Sequence, residues 1–241
     1  MSEALLEVRG VSKFFGGFAA LSGVDLQVRE GERLGLIGPN GSGKTTLINC
    51  VTGLLRVDRG TIHFAGRDIT TLPAYLRARA GITRSFQIPK PFSSMSVLEN
   101  LCIPLRYAAR SRHPVPHLER EAREILAMIG MEEKAAASPL ELTQIEMRKL
   151  ELARALAGRP KLLILDEVMA GLAHSELDEI LAILMRLSGQ GITVIMIEHI
   201  LRAVMSYSQR LVVLDAGVKI AEGPPAGIMN DKEVERAYLG A

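Results

Sequence analysis

The run Gly38-Pro39-Asn40-Gly41-Ser42-Gly43-Lys44-Thr45 meets the pattern G-x-x-x-x-G-K-[ST] at every fixed position. Glycines at these places let the backbone wrap closely enough for its N–H groups to hold phosphate oxygens at the positive end of the following helix. In such a loop Lys44 reaches the β- and γ-phosphates of a nucleotide, the Thr45 hydroxyl takes Mg²⁺, and Thr46 extends the phosphate-binding set. A second chemical group closes the aliphatic run Leu162-Leu163-Ile164-Leu165-Asp166-Glu167. The aliphatic residues bury a strand, so both carboxylates emerge at its C-terminal edge, where ligands of α/β sheets collect. Asp166 is then a candidate for the magnesium shell, and Glu167 for polarising an attacking water. An Asp-Glu pair alone is more often a solvated strand end; beside a phosphate loop the odds reverse. His199 follows another apolar run, Ile192–Ile197, and Glu198. Alone it reads as structural or exposed; here it is placed to contact a γ-phosphate and to orient water. Gln87, in Ser85-Phe86-Gln87-Ile88-Pro89, is a neutral hydrogen-bonding side chain on an apparent loop and by itself signals nothing.

These groups need strands and helices to position them. Val24-Asp25-Leu26-Gln27-Val28 alternates with period two and reads as a strand with one exposed face. Leu5–Val8, Leu34–Ile37, Thr61–Phe64, Arg210–Leu214 and Val218–Glu222 read as further short strands. From about residue 95 to 155 strand signals vanish, and Leu118, Ala122, Ile125, Leu126 and Ile129 fall on one helical face. Ser111–Pro116 reads as a loop within that stretch. Helices are expected at Ser175–Leu187 and near Lys232–Tyr238. Buried strands alternating with helices predict an α/β fold with a mostly parallel sheet covered on both faces. An antiparallel β portion near the N-terminus and an inserted helical lobe at about 90–157 complete one domain spanning 1–241.

With 241 residues and a net charge of +2, the chain can bury a sizeable core and gives no electrostatic case for nucleic acid. Cys50 and Cys102 sit in apolar contexts without metal-type spacing and read as buried thiols in a reducing compartment. No apolar run approaches the roughly 18 residues needed to cross a bilayer. Met1-Ser2-Glu3-Ala4 lacks the pattern of a signal peptide, so a cytoplasmic location is expected.

Taken together, these motifs resemble the ATP-binding subunits of ABC transporters, in family order and at family spacing along essentially the whole chain. Gly38–Thr45 resembles Walker A, and Leu162–Glu167 resembles Walker B with its catalytic glutamate. Gln87 resembles the Q-loop glutamine, which touches Mg²⁺ and water, and His199 the switch histidine. Lys13-Phe14-Phe15-Gly16 is similar to the aromatic loop that stacks on adenine; spacing favours Phe15, with Phe14 the alternative. Phe15-Gly16-Gly17, Thr46-Leu47-Ile48-Asn49, Gly81-Ile82-Thr83-Arg84-Ser85-Phe86-Gln87, Val97-Leu98-Glu99-Asn100-Leu101 and Ala237-Tyr238-Leu239-Gly240 resemble the LivG type, ATPases of branched-chain amino acid importers. The resemblance implies ATP and Mg²⁺ as cofactors, ATP hydrolysis coupled to transport, and a position on the inner face of the membrane. Transmembrane permeases, a second ATPase subunit and, indirectly, a solute-binding protein are the implied partners. A lipopolysaccharide-type exporter ATPase and a non-transport ABC ATPase are the alternatives.

The departures from the family are informative. The signature, usually Leu-Ser-Gly-Gly-Gln, falls on Leu142-Thr143-Gln144-Ile145-Glu146. Ile145 replaces a glycine whose backbone lies against the partner's γ-phosphate, and a β-branched residue disfavours that approach. Glu146 brings a negative charge where glutamine is usual; Ala173 and Val168 replace a D-loop Asp or Asn and a common proline. This chain's own ATP side is intact and its signature is not, so an asymmetric heterodimer is expected. Ile88-Pro89-Lys90-Pro91-Phe92, Met95 and Leu98 are apolar anchors for either a membrane-subunit helix or the lobe itself.

Overall fold

The computed structural model describes residues 4–86, 89–109 and 113–239. The long strands β1 (Ala4–Phe15) and β2 (Phe18–Arg29) form an antiparallel hairpin. After β3 (Arg33–Ile37) and α1 (Lys44–Thr52) come β4 (Arg59–Phe64) and the short β5 (Arg67–Asp68). These complete a four-stranded antiparallel sheet in the order β2-β1-β4-β5. Next, α2 (Ala74–Ala80) and β6 (Ile82–Ser85) lead into helices α3 (Val97–Tyr107), α4 (Val115–Met128) and α5 (Gln144–Ala157). Strand–helix alternation resumes through β7 (Leu162–Asp166), α6 (His174–Gly189), β8 (Thr193–Ile197), α7 (Leu201–Tyr207) and β9 (Arg210–Asp215). The chain then continues through β10 (Val218–Gly223), α8 (Pro225–Ile228) and α9 (Lys232–Leu239).

The second sheet has the order β10-β9-β3-β8-β7-β6. Its neighbours are parallel except for the β9–β10 pair. Side-chain alternation along these strands creates two cores. Leu163, Leu165, Val194 and Met196 face the helical side with α3 to α7. Leu162, Ile164, Ile195 and Ile197 face α1 and the antiparallel sheet. With both faces covered, β7 and β8 are buried along their whole length, so their near-continuous aliphatic runs are what a parallel sheet requires.

The expected fold class holds, and the differences are local. β6 was not among the expected strands, because Thr83, Arg84 and Ser85 make it polar. The expected loop Ser111–Pro116 needs correction at its end: Val115 and Pro116 lie in the first turn of α4. Proline is suited to that turn, where its missing N–H would have no helical partner. Ser111 itself lies outside the described residues. Cys50 is buried and Cys102 half-buried, both free thiols, and burial pushes the Cys50 thiol up to about 11. Among the described residues no helix is long and apolar enough to cross a membrane.

Candidate nucleotide-binding site

The parallel strands β3, β8, β7 and β6 end along one edge of the sheet, and the candidate residues follow those ends. Residues 38–43 turn from β3 into α1. Only glycine fits at two of these positions. Gly38 has φ +146° and a Cβ there would lie 2.0 Å from the Leu214 carbonyl oxygen. Gly43 has φ +102° and a Cβ there would lie 2.7 Å from the Ala20 carbonyl oxygen. Gly43 caps α1 without any side-chain hydrogen bond, and the first turn of α1 carries no acidic residue. The start of this helix therefore keeps its positive end for an outside anion.

Lys44 folds back over the loop, donating to the carbonyls of Gly38 (2.8 Å) and Pro39 (2.9 Å) and to Ser42 Oγ (3.3 Å). Burial lowers its pKa, and Glu167 and Asp166 oppose that shift, so all three groups share one electrostatic environment. Asn40, Gly41 and Thr45 are exposed, Ser42 is buried, and Pro39 and Thr46 are intermediate. Thr45 and Asp166 line one cleft of about 720 Å³. A hydroxyl and a carboxylate are the oxygen donors Mg²⁺ takes when phosphates and water supply the remainder. Among the described residues no group of three His, Cys, Asp or Glu side chains is assembled to hold a metal by itself. The donor set thus fits a metal that arrives with a nucleotide.

Asp166 is buried and its Oδ2 accepts from Arg84 Nη2, while Arg84 Nη1 donates to Asn49 Oδ1 at 2.6 Å. Glu167 has φ +49°, a left-handed backbone that costs a non-glycine residue about 1 kcal/mol. Its N–H donates to the Ile197 carbonyl at 2.9 Å, tying β7's end to β8's. His199 is exposed just beyond β8. The buried Glu198 beside it accepts from the Met169 N–H at 2.8 Å, and burial pushes its carboxyl up to about 7. Gln87 lies outside the described residues. Phe14 and Phe15 lie at the β1–β2 turn, Phe15 49% exposed and Phe14 37%. Arg59 lies 5.8 Å from the Phe14 ring and Lys13 5.6 Å from the Phe15 ring.

Leu142–Glu146 leads into α5. Thr143 caps α5, so Gln144, Ile145 and Glu146 form its first turn, and Ile145 is helical without positive φ. Glu146 Oε2 accepts from the Thr143 N–H (2.8 Å), Thr143 Oγ1 accepts from the Glu146 N–H (3.4 Å), and Lys134 pairs with Glu146 at 3.1 Å. These contacts, led by the Thr143 N–H, hold the Glu146 carboxyl below the usual carboxylate range. Glu146, where glutamine is usual, thus turns its carboxylate back onto its own helix and Lys134. Arg148 donates to the Ala170 carbonyl at 3.3 Å, joining α5 to the segment after Glu167.

Sequence reading passed over Arg84, Asn49, Glu198 and Lys134. The available signal for Glu198 was a charge directly after a buried strand, which demands a partner. Of the expected docking anchors Leu98 is buried in the helical core, Lys90 and Phe92 are exposed and line the cleft, Pro89, Pro91 and Met95 are intermediate, and Ile88 lies outside the described residues.

A phosphate loop, an acidic strand end beside it and a histidine past the intervening strand define an ATP-binding cassette of the P-loop class. The family model described as ABC transporter matches residues 21–170. The chain belongs to the ABC transporter family. It is 38% identical to the high-affinity branched-chain amino acid transport ATP-binding protein BraF of Pseudomonas aeruginosa, over 100% of this chain and 99% of that protein. It is 37% identical to the corresponding LivG protein of Escherichia coli K12, over 100% and 99%. An ATP-binding cassette of an ABC transporter in its ADP conformation superposes with a TM-score of 0.90 at 34% identity, covering all of both chains. A dimeric bacterial ABC transporter cassette gives 0.83 at 25% identity, over 91% of this chain and 98% of that one.

Proposed function

We propose that this chain is the ATP-hydrolysing subunit of a membrane importer for branched-chain amino acids or similar small solutes. The observation that carries the reading is end-to-end similarity to BraF and LivG together with one cleft lined by Thr45, just past the phosphate loop, and by Asp166 of the acidic strand end. The whole chain, 1–241, acts as one cassette with a helical lobe at about 90–157, and it works on the cytoplasmic face of the membrane.

Residues 38–46 bind the ATP phosphates, with Lys44 leaving its loop carbonyls for the β- and γ-phosphates. Phe15, the more exposed of the pair at 49%, stacks on adenine, with Phe14 the alternative. Thr45, Asp166 and Gln87 hold Mg²⁺, which neutralises phosphate charge when bound. Glu167 orients and polarises the attacking water, and His199 reaches the γ-phosphate from the end of β8. Permease subunits dock on the apolar stretch around Phe92 and Met95, at the start of the helical lobe. A second ATPase subunit completes the assembly and, because α5 caps itself, the pair is an asymmetric heterodimer whose dominant hydrolytic site is built on this chain's Walker motifs.

The test is uptake of labelled leucine by vesicles holding the complex reconstituted with its neighbouring membrane subunits and binding protein. Uptake should depend on ATP and vanish with Glu167→Gln. Uptake that survives that substitution, or ATP-driven export instead, overturns the reading.

A further inference from the structure

We infer that Arg84 is a positioning residue for the metal-binding carboxylate, holding Asp166 through one arm of its guanidinium while the other arm is anchored to α1. The inference rests on the reading of Asp166 as a metal ligand.

Register brings the three side chains together. Arg84 pairs with Ile164 across the parallel β6–β7 ladder, and Asp166 lies two residues further on, on the same face of the sheet. That face is covered by α1, which contributes Asn49. One planar fork thus spans three elements: the strand that leads toward Gln87, the helix of the phosphate loop and the strand of the acidic pair. The side chains of Arg84 and Asp166 are 8% and 9% exposed. Arg84 Nε is buried without a hydrogen-bond partner, and the Phe86 ring lies 5.2 Å from the guanidinium.

These details argue for orientation rather than stability. A buried ion pair contributes little net stability over apolar residues of the same volume, and an orphaned donor makes it poorer still. A fork between two fixed acceptors does constrain the rotation of a carboxylate, which a lysine cannot match. With Oδ2 held by Arg84, Oδ1 is the oxygen left to serve a metal in the cleft that Asp166 shares with Thr45.

The test measures ATP affinity of the full-length chain with EDTA and with excess Mg²⁺; the ratio isolates the metal's share of binding. Arg84→Ala should keep metal-free affinity and lower the ratio about tenfold, as loss of an outer-shell partner does. Arg84→Lys should restore only part of it, and Asn49→Ala should cause a smaller loss. Asp166→Asn serves as reference. If it leaves the ratio at the wild-type value, the reading of Asp166 falls and the Arg84 role with it. If Asp166→Asn collapses the ratio while Arg84→Ala and Arg84→Lys leave it unchanged, the Arg84 role alone is overturned. Should Arg84→Ala not fold, wild-type ratios in both Arg84→Lys and Asn49→Ala overturn it equally.

Discussion

The helices α1 and α5 both begin at stretches that the family sets against phosphate, and they begin in opposite ways. α1 starts on Gly43 with no side-chain cap and no acid in its first turn. α5 starts on Thr143, and its own Glu146 closes a capping box that Lys134 then neutralises. A helix start is a partial positive charge with orphan N–H groups. At α1 those groups are left open to an anion; at α5 the Thr143 and Glu146 N–H groups are satisfied from within. The difference follows from which atoms satisfy the first-turn donors.

The comparison can be broken most decisively at Glu167. Glu167→Gln in the assembled complex should retain ATP binding and lower steady-state hydrolysis by about 100-fold or more, the usual share of a general base. Hydrolysis at the wild-type rate would show that the open side lacks its assigned base. Next comes the contrast between sites. Lys44→Ala should lower hydrolysis about 100-fold, while the matching change in the partner subunit should lower it less than about tenfold. Equal losses, or a fully active purified homodimer, would end the asymmetry.

A third measurement concerns the segment that links the two sides. Residues 167–170 run from the strained Glu167 to the Ala170 carbonyl held by Arg148, with Met169 pinned by Glu198 between them. The Glu198 carboxyl is pushed up to about 7, so the folded state holds its proton more tightly than the unfolded chain. Its contribution is full below about pH 4.5 and is lost as pH rises through about 7, an effect of order 3 kcal/mol. Thermal midpoints should fall between about pH 4.5 and 7, and Glu198→Gln should flatten that slope; an unchanged slope refutes the assignment. The smallest effect is the cap itself. Thr143→Ala should lower stability by about 1 kcal/mol while leaving hydrolysis within about twofold of wild type. A loss as large as that from Lys44→Ala would mean that α5 takes part in catalysis.

Much of this could be read from residues. Aliphatic runs such as Leu162–Leu165 mark strands covered on both faces, and the phosphate loop names its own strand–turn–helix setting. The capping box was also present as Thr143-x-x-Glu146, a pattern with a mechanism of its own. Attention to the family register at those positions obscured it, because a glutamate there suggests repulsion until its hydrogen bonds are known. β6 and the fork of Arg84 were not legible. A polar strand has no apolar alternation to reveal it, and the partners of Arg84 lie 35 and 82 positions away. Glu198 was visible only as a neighbour of His199; its burial depends on packing against Met169.

The order of strands in the parallel sheet has a consequence for how the molecule is made. β3, which carries the phosphate loop, lies between β8 and β9, with Arg33 opposite Val194 and Leu34 opposite Arg210. Its neighbours are therefore synthesised more than 150 residues after it. At about 5–20 residues per second, β3 waits on the order of ten seconds on the ribosome without the strands that will flank it. Gly38 and Lys44 have no finished scaffold during that interval, so ATP cannot help early folding. A nascent chain stopped before β8 should be unable to capture nucleotide even though it already carries every residue of the phosphate loop.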